Sequence, residues 1–174
     1  MQNKNIFIIG PLGAGKTTVG RQLAKKVHFV FYDSDHEIEK KTGVSVATIF
    51  EIEGEEGFRV REQNMIAKLT QLDNIVLSSG GCSILKPENR QAFASRGTVI
   101  YLRASLETQL KRTNQRKGTR PLLDIPDPYQ KIIELDKIRS PLYESIADYT
   151  YNTDIDSPHE IADKIFETLF NHPS

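Results

Sequence analysis

Cysteine is almost absent from these 174 residues: Cys82 stands alone, which excludes an internal disulfide framework and fits a reducing compartment. An excess of either charge is absent as well. The 23 Lys and Arg residues balance the 23 Asp and Glu residues, so no net field draws the chain toward nucleic acid or an anionic membrane. No apolar run approaches the roughly 20 residues that a membrane span needs. A cleaved signal peptide is not expected either, because its apolar stretch would overlap the run Ile6 to Ile9 and the loop after it. The four histidines (His28, His36, His159, His172) are scattered without metal-ligand spacing and read as surface residues. No repeat, low-complexity tract or long linker divides the chain. The length suits one domain with one core, and the expectation is a cytoplasmic monomer.

Against these absences stands Gly10-Pro11-Leu12-Gly13-Ala14-Gly15-Lys16-Thr17, a full match to G-x-x-x-x-G-K-[ST]. Glycines at these positions let the backbone wrap an anion with its N–H groups turned inward. The lysine reaches the β- and γ-phosphates of a nucleotide, and the threonine hydroxyl faces Mg²⁺. The context agrees. Ile6-Phe7-Ile8-Ile9 reads as a buried strand entering the loop. Thr17 to Lys26, with Val19, Leu23 and Val27 on one face, reads as a helix leaving it with its positive end toward the phosphates. The loop predicts a nucleoside triphosphate as ligand.

Four further strands are expected at Phe29 to Tyr32, Ile75 to Ser78, Thr98 to Leu102 and Tyr149 to Tyr151. Helical patterns separate them: Glu55 to Leu72, Pro87 to Arg96, Ser105 to Gln115, Pro128 to Ala147 and Pro158 to Asn171. This alternation predicts an α/β fold with a parallel sheet covered on both faces. Two segments break it. Roughly forty residues between the second and third strands are too many for one crossover helix and suggest a helical excursion. The basic, breaker-rich run from Arg116 to Pro126 has no periodicity and reads as a lid.

Several residues fall where ligands bind, at the carboxyl ends of strands. Asp33-Ser34-Asp35 ends the second strand, and its carboxylates fit metal support and proton acceptance. Ser34 or Asp35 acting only as a helix cap is the competing account. Arg59 and Glu62 are three apart, so the carboxylate can orient the guanidinium toward a substrate anion, or the two can be a plain surface pair. Gly80-Gly81-Cys82 follows the third strand, as a ligand-hugging turn or a simple strand-to-helix turn. Arg112, Arg116, Lys117 and Arg120 bracket the lid, and Pro141 is expected to kink the helix that carries Arg139.

In this order and across nearly the whole chain, these motifs resemble the shikimate kinase family. The match runs through the phosphate loop, Asp33-x-Asp35, Phe58-Arg59-x-x-Glu62, Gly80-Gly81, Arg120-Pro121-Leu122 and Arg139-x-Pro141-Leu142-Tyr143. The resemblance implies a three-layer P-loop fold with a five-stranded parallel sheet. Its core comprises 1–32, 73–111 and 127–174, its substrate-binding excursion about 33–72, and its lid about 112–126. It implies an ATP- and Mg²⁺-dependent phosphotransferase acting on the 3-hydroxyl of shikimate, in aromatic amino acid biosynthesis.

Carried over by motif, Gly13, Ala14, Gly15, Lys16, Thr17 and Thr18 hold the ATP phosphates, with Lys16 also catalytic. Thr17 ligates Mg²⁺, and Asp33 supports the metal through water. Asp35 holds substrate hydroxyls and is the candidate base. Arg59, Arg139 and the Gly81 amide hold the substrate, Phe50 and Phe58 wall its apolar side, and Glu62 orients Arg59. Arg120 is the catalytic lid arginine over the phosphates, and Arg112 lies against the adenine.

The sequence departs from the family in two places. Cys82 stands where a third glycine is usual, and would be strained if the position needs a positive φ. No aspartate ends the third or fourth strand, leaving Ser78 or Ser79 as a stand-in and Asp33 as the carboxylate on the metal side. Other readings of the same residues are a gluconate-type kinase, a nucleoside-monophosphate kinase, or a nucleotide-dependent switch without turnover.

Overall fold

Residues 4–114 and 127–171 are described by a computed structural model of the chain. Five strands form one parallel sheet in the order β2-β3-β1-β4-β5. They are β1 (Ile6–Ile9), β2 (Val30–Asp33), β3 (Ile75–Ser78), β4 (Thr98–Arg103) and β5 (Tyr149–Asn152). Each crossover is helical, as parallel pairing requires: α1 (Lys16–Val27) after β1, α2 (Ser34–Thr42) and α3 (Val46–Leu69) after β2, and α4 (Pro87–Arg96) after β3. Helices α5 (Leu106–Asn114) and α6 (Pro128–Ile146) lie between β4 and β5, and α7 (Pro158–Phe170) follows β5.

The inner strands are apolar on both sides because helices cover both faces. Side chains alternate across a strand, so the period of two sorts them. Phe7, Ile9, Ile75, Leu77, Val99 and Tyr101 pack with Ile38, Phe58, Phe93 and Tyr143 from the helices of one face. Ile6, Ile8, Val76, Ile100 and Leu102 pack with Val19, Leu23, Ile161 and Ile165 from α1 and α7 on the other. Each fully buried side chain of this size contributes about 1.5–3 kcal/mol. Register then fixes the functional edge: Ser78 is level with Ile8 on one side and Asp33 on the other, and Ile9 is level with Tyr101. The phosphate loop therefore leaves the central strand beside the residues that end β2 and β3.

The helix expected from Glu55 starts earlier. Ser45 caps it by accepting the Thr48 amide at 3.1 Å, and a break at Gly54 separates the added segment from the rest. Its far end stops at Leu69, where Thr70 caps the last turn. α6 runs through Pro141 as one helix. Of the segment expected as a lid, residues 112–114 belong to α5. The remainder, with Arg116, Lys117 and Arg120, lies outside the described residues, as does His172. His28, His36 and His159 are exposed. Among the described residues no helix is long and apolar enough to cross a membrane.

Candidate active site

The phosphate loop turns on Gly13 and Gly15, whose φ values of 81° and 85° lie in the left-handed region. α1 begins directly behind it, so its first amides and its positive end face the loop's concavity. The Lys16 ammonium donates to the Gly10 and Pro11 carbonyls at 2.8 and 2.9 Å, which keeps a largely buried cation inside the loop. The Thr17 hydroxyl donates to Asp33 Oδ2 at 2.8 Å, joining the loop to the end of β2.

Asp33 has two tasks. Its second oxygen accepts the His36 amide at 3.1 Å and caps α2, so the cap is Asp33 and not Ser34 or Asp35. Ser34 is buried and accepts the Gly80 amide at 3.1 Å, pinning the turn after β3 against the start of α2. Asp35 is the second residue of α2 and carries no capping bond. Burial pushes its carboxyl up to about 7, with the nearby charges of Glu62 and Asp33 adding to the rise and those of Lys16 and Arg59 opposing it. Its Oδ1 has no donor among the described residues, and the same is true of Glu62 Oε2. Both oxygens crowd Gly80: a Cβ there would lie 2.7 Å from Glu62 Oε2 and 3.1 Å from Asp35 Oδ1.

Arg59 and Glu62 are not a surface pair. Glu62 is buried and accepts Arg59 Nη1 at 2.9 Å, with the Arg59 side chain only 12% exposed. Burial raises the Glu62 carboxyl above its usual range despite the pull of Arg59. The guanidinium carbon sits 5.2 Å from the Phe58 ring centre and 5.9 Å from that of Phe50, a cation on an aromatic floor.

Arg139 is deeper still, at 1% exposure. It donates to the Leu135 carbonyl at 3.4 Å and to Cys82 Sγ at 3.7 Å, and no carboxylate pairs with it among the described residues. It stands behind Gly81 and Cys82 and does not line the cavity. Gly81 is the thin place in that wall, since a Cβ there would fall 2.9 Å from Arg139 Nη1. Tyr143 holds the wall from behind by donating to the Gly81 carbonyl at 2.5 Å.

The strain expected at Cys82 is not found. Its φ of −92° and ψ of 0° are open to any residue. The positive φ on which that strain was conditional is absent, so the left-handed penalty on a side chain does not arise here. Ser78 and Ser79 are buried at the end of β3, and the Ser79 hydroxyl donates weakly to the Ile8 carbonyl at 3.4 Å.

Arg112 reaches the loop from α5. One nitrogen donates to the Gly13 carbonyl at 2.8 Å and the other to the Thr153 carbonyl at 2.9 Å. It thus ties the phosphate loop to the segment after β5. A cavity of about 870 Å³ runs between these parts, lined at one end by Arg112, Thr153, Asp156 and Pro158. Gly13 to Thr18 and Asp33 line its middle, and Asp35, Phe50, Phe58, Arg59, Gly81 and Cys82 its far end. The expected residues converge, then, except Arg120, which is not described, and Arg139, which is behind the wall. Thr153, Asp156 and Pro158 were not singled out in the sequence. The signal available was that β5 also ends at this sheet edge, with Pro158 opening the next helix.

A sequence model of the shikimate kinase family matches residues 12–170. Shikimate kinase 1 of Enterobacter sp. (strain 638) is 49% identical over 169 residues, covering 97% of both chains. The shikimate kinase of Shewanella pealeana is 47% identical and covers 97% of this chain and 98% of its own. Among solved structures, the Acinetobacter baumannii shikimate kinase in complex with shikimate superposes with a TM-score of 0.93 at 46% identity. That match covers 97% of this chain and 94% of the other. On sequence over nearly its full length, and on a matching five-stranded fold, this chain belongs to the shikimate kinase family.

Proposed function

We propose that the protein transfers the γ-phosphoryl group of ATP to the 3-hydroxyl of shikimate. The observation that carries the reading is the single cavity joining the phosphate loop to Asp35 and the Arg59–Glu62 pair. It offers a triphosphate cradle in its middle and a reader of a carboxylated polyol at its far end. Gluconate shares that chemistry; near-full-length identity to shikimate kinases favours shikimate.

The donor set fits Mg²⁺: the Thr17 hydroxyl and the Asp33 carboxylate are hard oxygens one hydrogen bond apart at the phosphate-binding end. Such a pair, with nucleotide phosphates and water, is the kind of shell this ion takes. When bound, it neutralises charge on the phosphates. Lys16 exchanges its loop carbonyls for phosphate oxygens and keeps a positive charge where negative charge gathers. Arg59, held by Glu62, binds the shikimate carboxylate, and Arg139 adds its charge from behind the thin wall at Gly81. Asp35 accepts the 3-hydroxyl at its unpartnered Oδ1 and takes the proton as the oxygen attacks. Arg112 and Pro158 flank the adenine, and Arg120 covers the phosphates. The enzyme works as a soluble cytoplasmic monomer.

A coupled ADP-release assay with MgATP and separate acceptors tests the reading. Shikimate should drive turnover, while gluconate and nucleoside monophosphates should not. ADP release with either of those and none with shikimate overturns it.

Cys82 supplies an independent probe. It is the one thiol, lines the acceptor end, and is 4% exposed. Saturating shikimate should slow its modification by a small thiol reagent, and the labelled protein should lose shikimate affinity more than ATP affinity. An equal labelling rate with and without shikimate would mean that the ligand does not reach this wall.

A further inference from the structure

Gly54 interrupts α3 with φ 73° and ψ 177°, a backbone region that is essentially glycine's alone. A Cβ built there would touch nothing within 4 Å. Conformation, and not lack of room, is what demands glycine. The break brings the first part of α3 against the second, and two contacts depend on it. Phe50 packs on Phe58 with ring centres 4.9 Å apart. Glu53 accepts two hydrogen bonds from Arg61, at 2.8 and 2.7 Å. Gly57 gives that clasp clearance, because a Cβ there would lie 2.6 Å from Glu53 Cβ.

Both pairs are eight residues apart in sequence. Eight residues of straight α-helix rise about 12 Å, too far for the two rings to meet. Without the break, Phe50 would leave the acceptor end of the cavity, and Arg59 would lose one of the two rings beneath its guanidinium.

We propose that Gly54 and the Glu53–Arg61 clasp are positioning residues for the acceptor: they fix Phe50 against Phe58 and Arg59 and so set affinity for the hydroxy-acid substrate. The nucleotide end, built on β1, α1 and α5, is independent of them. This inference rests on the acceptor reading given above. Gly54 carries the larger share, because the clasp is a half-exposed ion pair and such pairs are individually weak.

The test measures KM for shikimate and for MgATP, kcat and melting temperature in the wild type, Gly54→Ala, Arg61→Met and Arg61→Lys. Gly54→Ala should raise the shikimate KM by about tenfold or more, the scale of one strained backbone position. Its MgATP KM and kcat should stay within about threefold, since neither depends on backbone strain at this site. Arg61→Met should raise the shikimate KM by about two- to fivefold, the scale of an exposed pair. Arg61→Lys should recover part of that loss by keeping the charge. If Gly54→Ala does not fold, the two Arg61 variants decide. An unchanged shikimate KM in the folded variants overturns the proposal. So does a parallel rise in both KM values with a falling melting temperature, which marks general damage. A wild type that does not turn over shikimate would instead overturn the functional reading, and is seen in the same experiment.

Discussion

Asp35→Asn should nearly abolish turnover and, in the same protein, make the unliganded fold more stable at neutral and alkaline pH. The activity loss follows from removing the group that accepts the proton, a contribution of about 10²- to 10⁴-fold in rate. The gain in stability follows from linkage. The Asp35 carboxyl goes from 3.8 when unfolded to about 7 in the fold, chiefly through burial and the neighbouring Glu62. The folded state thus holds this proton more tightly than the unfolded chain. Stability from the group is complete below about pH 4 and is lost as pH rises through about 7. The full gap corresponds to about 4 kcal/mol, an upper figure for a site that can relax or admit water. Asparagine has the same shape and carries no charge, so it escapes the loss. Glu62 is raised too, by its own burial, and the repulsion it shares with Asp35 is lost with the Asp35 charge, so the difference between the two proteins reports Asp35 together with that repulsion. Urea unfolding of both proteins from pH 4 to pH 8, without ligands, checks this. Stability curves that stay parallel would show that ionised Asp35 carries no penalty, and a variant keeping a tenth or more of wild-type kcat would remove it as the base.

That coexistence of cost and use explains which features were legible in advance. The phosphate loop was, because its chemistry is local: spacing, an apolar run before it and a helical pattern after it all lie within 27 residues. The inner strands were, because burial on both faces leaves an apolar run in the sequence. The start of α3 was not. Its first turns bury only Ile49 and expose Glu51, Ile52 and Glu53, so the stretch carries little helical periodicity. The break at Gly54 is hidden for a related reason. A glycine among glutamates fits a solvated helix face as readily as a fold-back, and the deciding contacts lie eight residues away. Asp33 shows a different limit. Sequence offered Ser34 or Asp35 as the cap and Asp33 for the metal side, whereas the two oxygens of Asp33 serve α2 and Thr17 together. Arg112 and Thr153 are 41 residues apart and meet only because β4 and β5 are neighbours.

Arg59 and Arg139, alike in sequence as candidate readers of a carboxylate, should separate sharply on mutation. Each should be needed for shikimate: truncating one partner of a buried charged contact costs about 2–5 kcal/mol, or about 30-fold to several-thousand-fold in affinity. ATP affinity should be largely spared, since neither side chain reaches the phosphate loop. The stability of the unliganded protein tells them apart. Arg59→Ala strands Glu62, a buried carboxylate that loses its partner at 2.9 Å and already has one unpaired oxygen. Leaving a buried charge uncompensated is strongly destabilising. Arg139→Met strands no carboxylate, because the guanidinium meets only the Leu135 carbonyl and the Cys82 sulfur. It trades an interior cation that has no carboxylate partner for an apolar chain, and so removes a charge whose burial is itself costly. Melting curves with and without saturating shikimate, beside calorimetric titrations of each ligand, give all the readings. Wild type should gain stability on adding shikimate, and Arg139→Met should gain much less while melting as high as wild type alone. A variant at Arg139 that still binds shikimate with wild-type affinity would make this arginine a support for the wall at Gly81 and Cys82 and not a reader of the substrate.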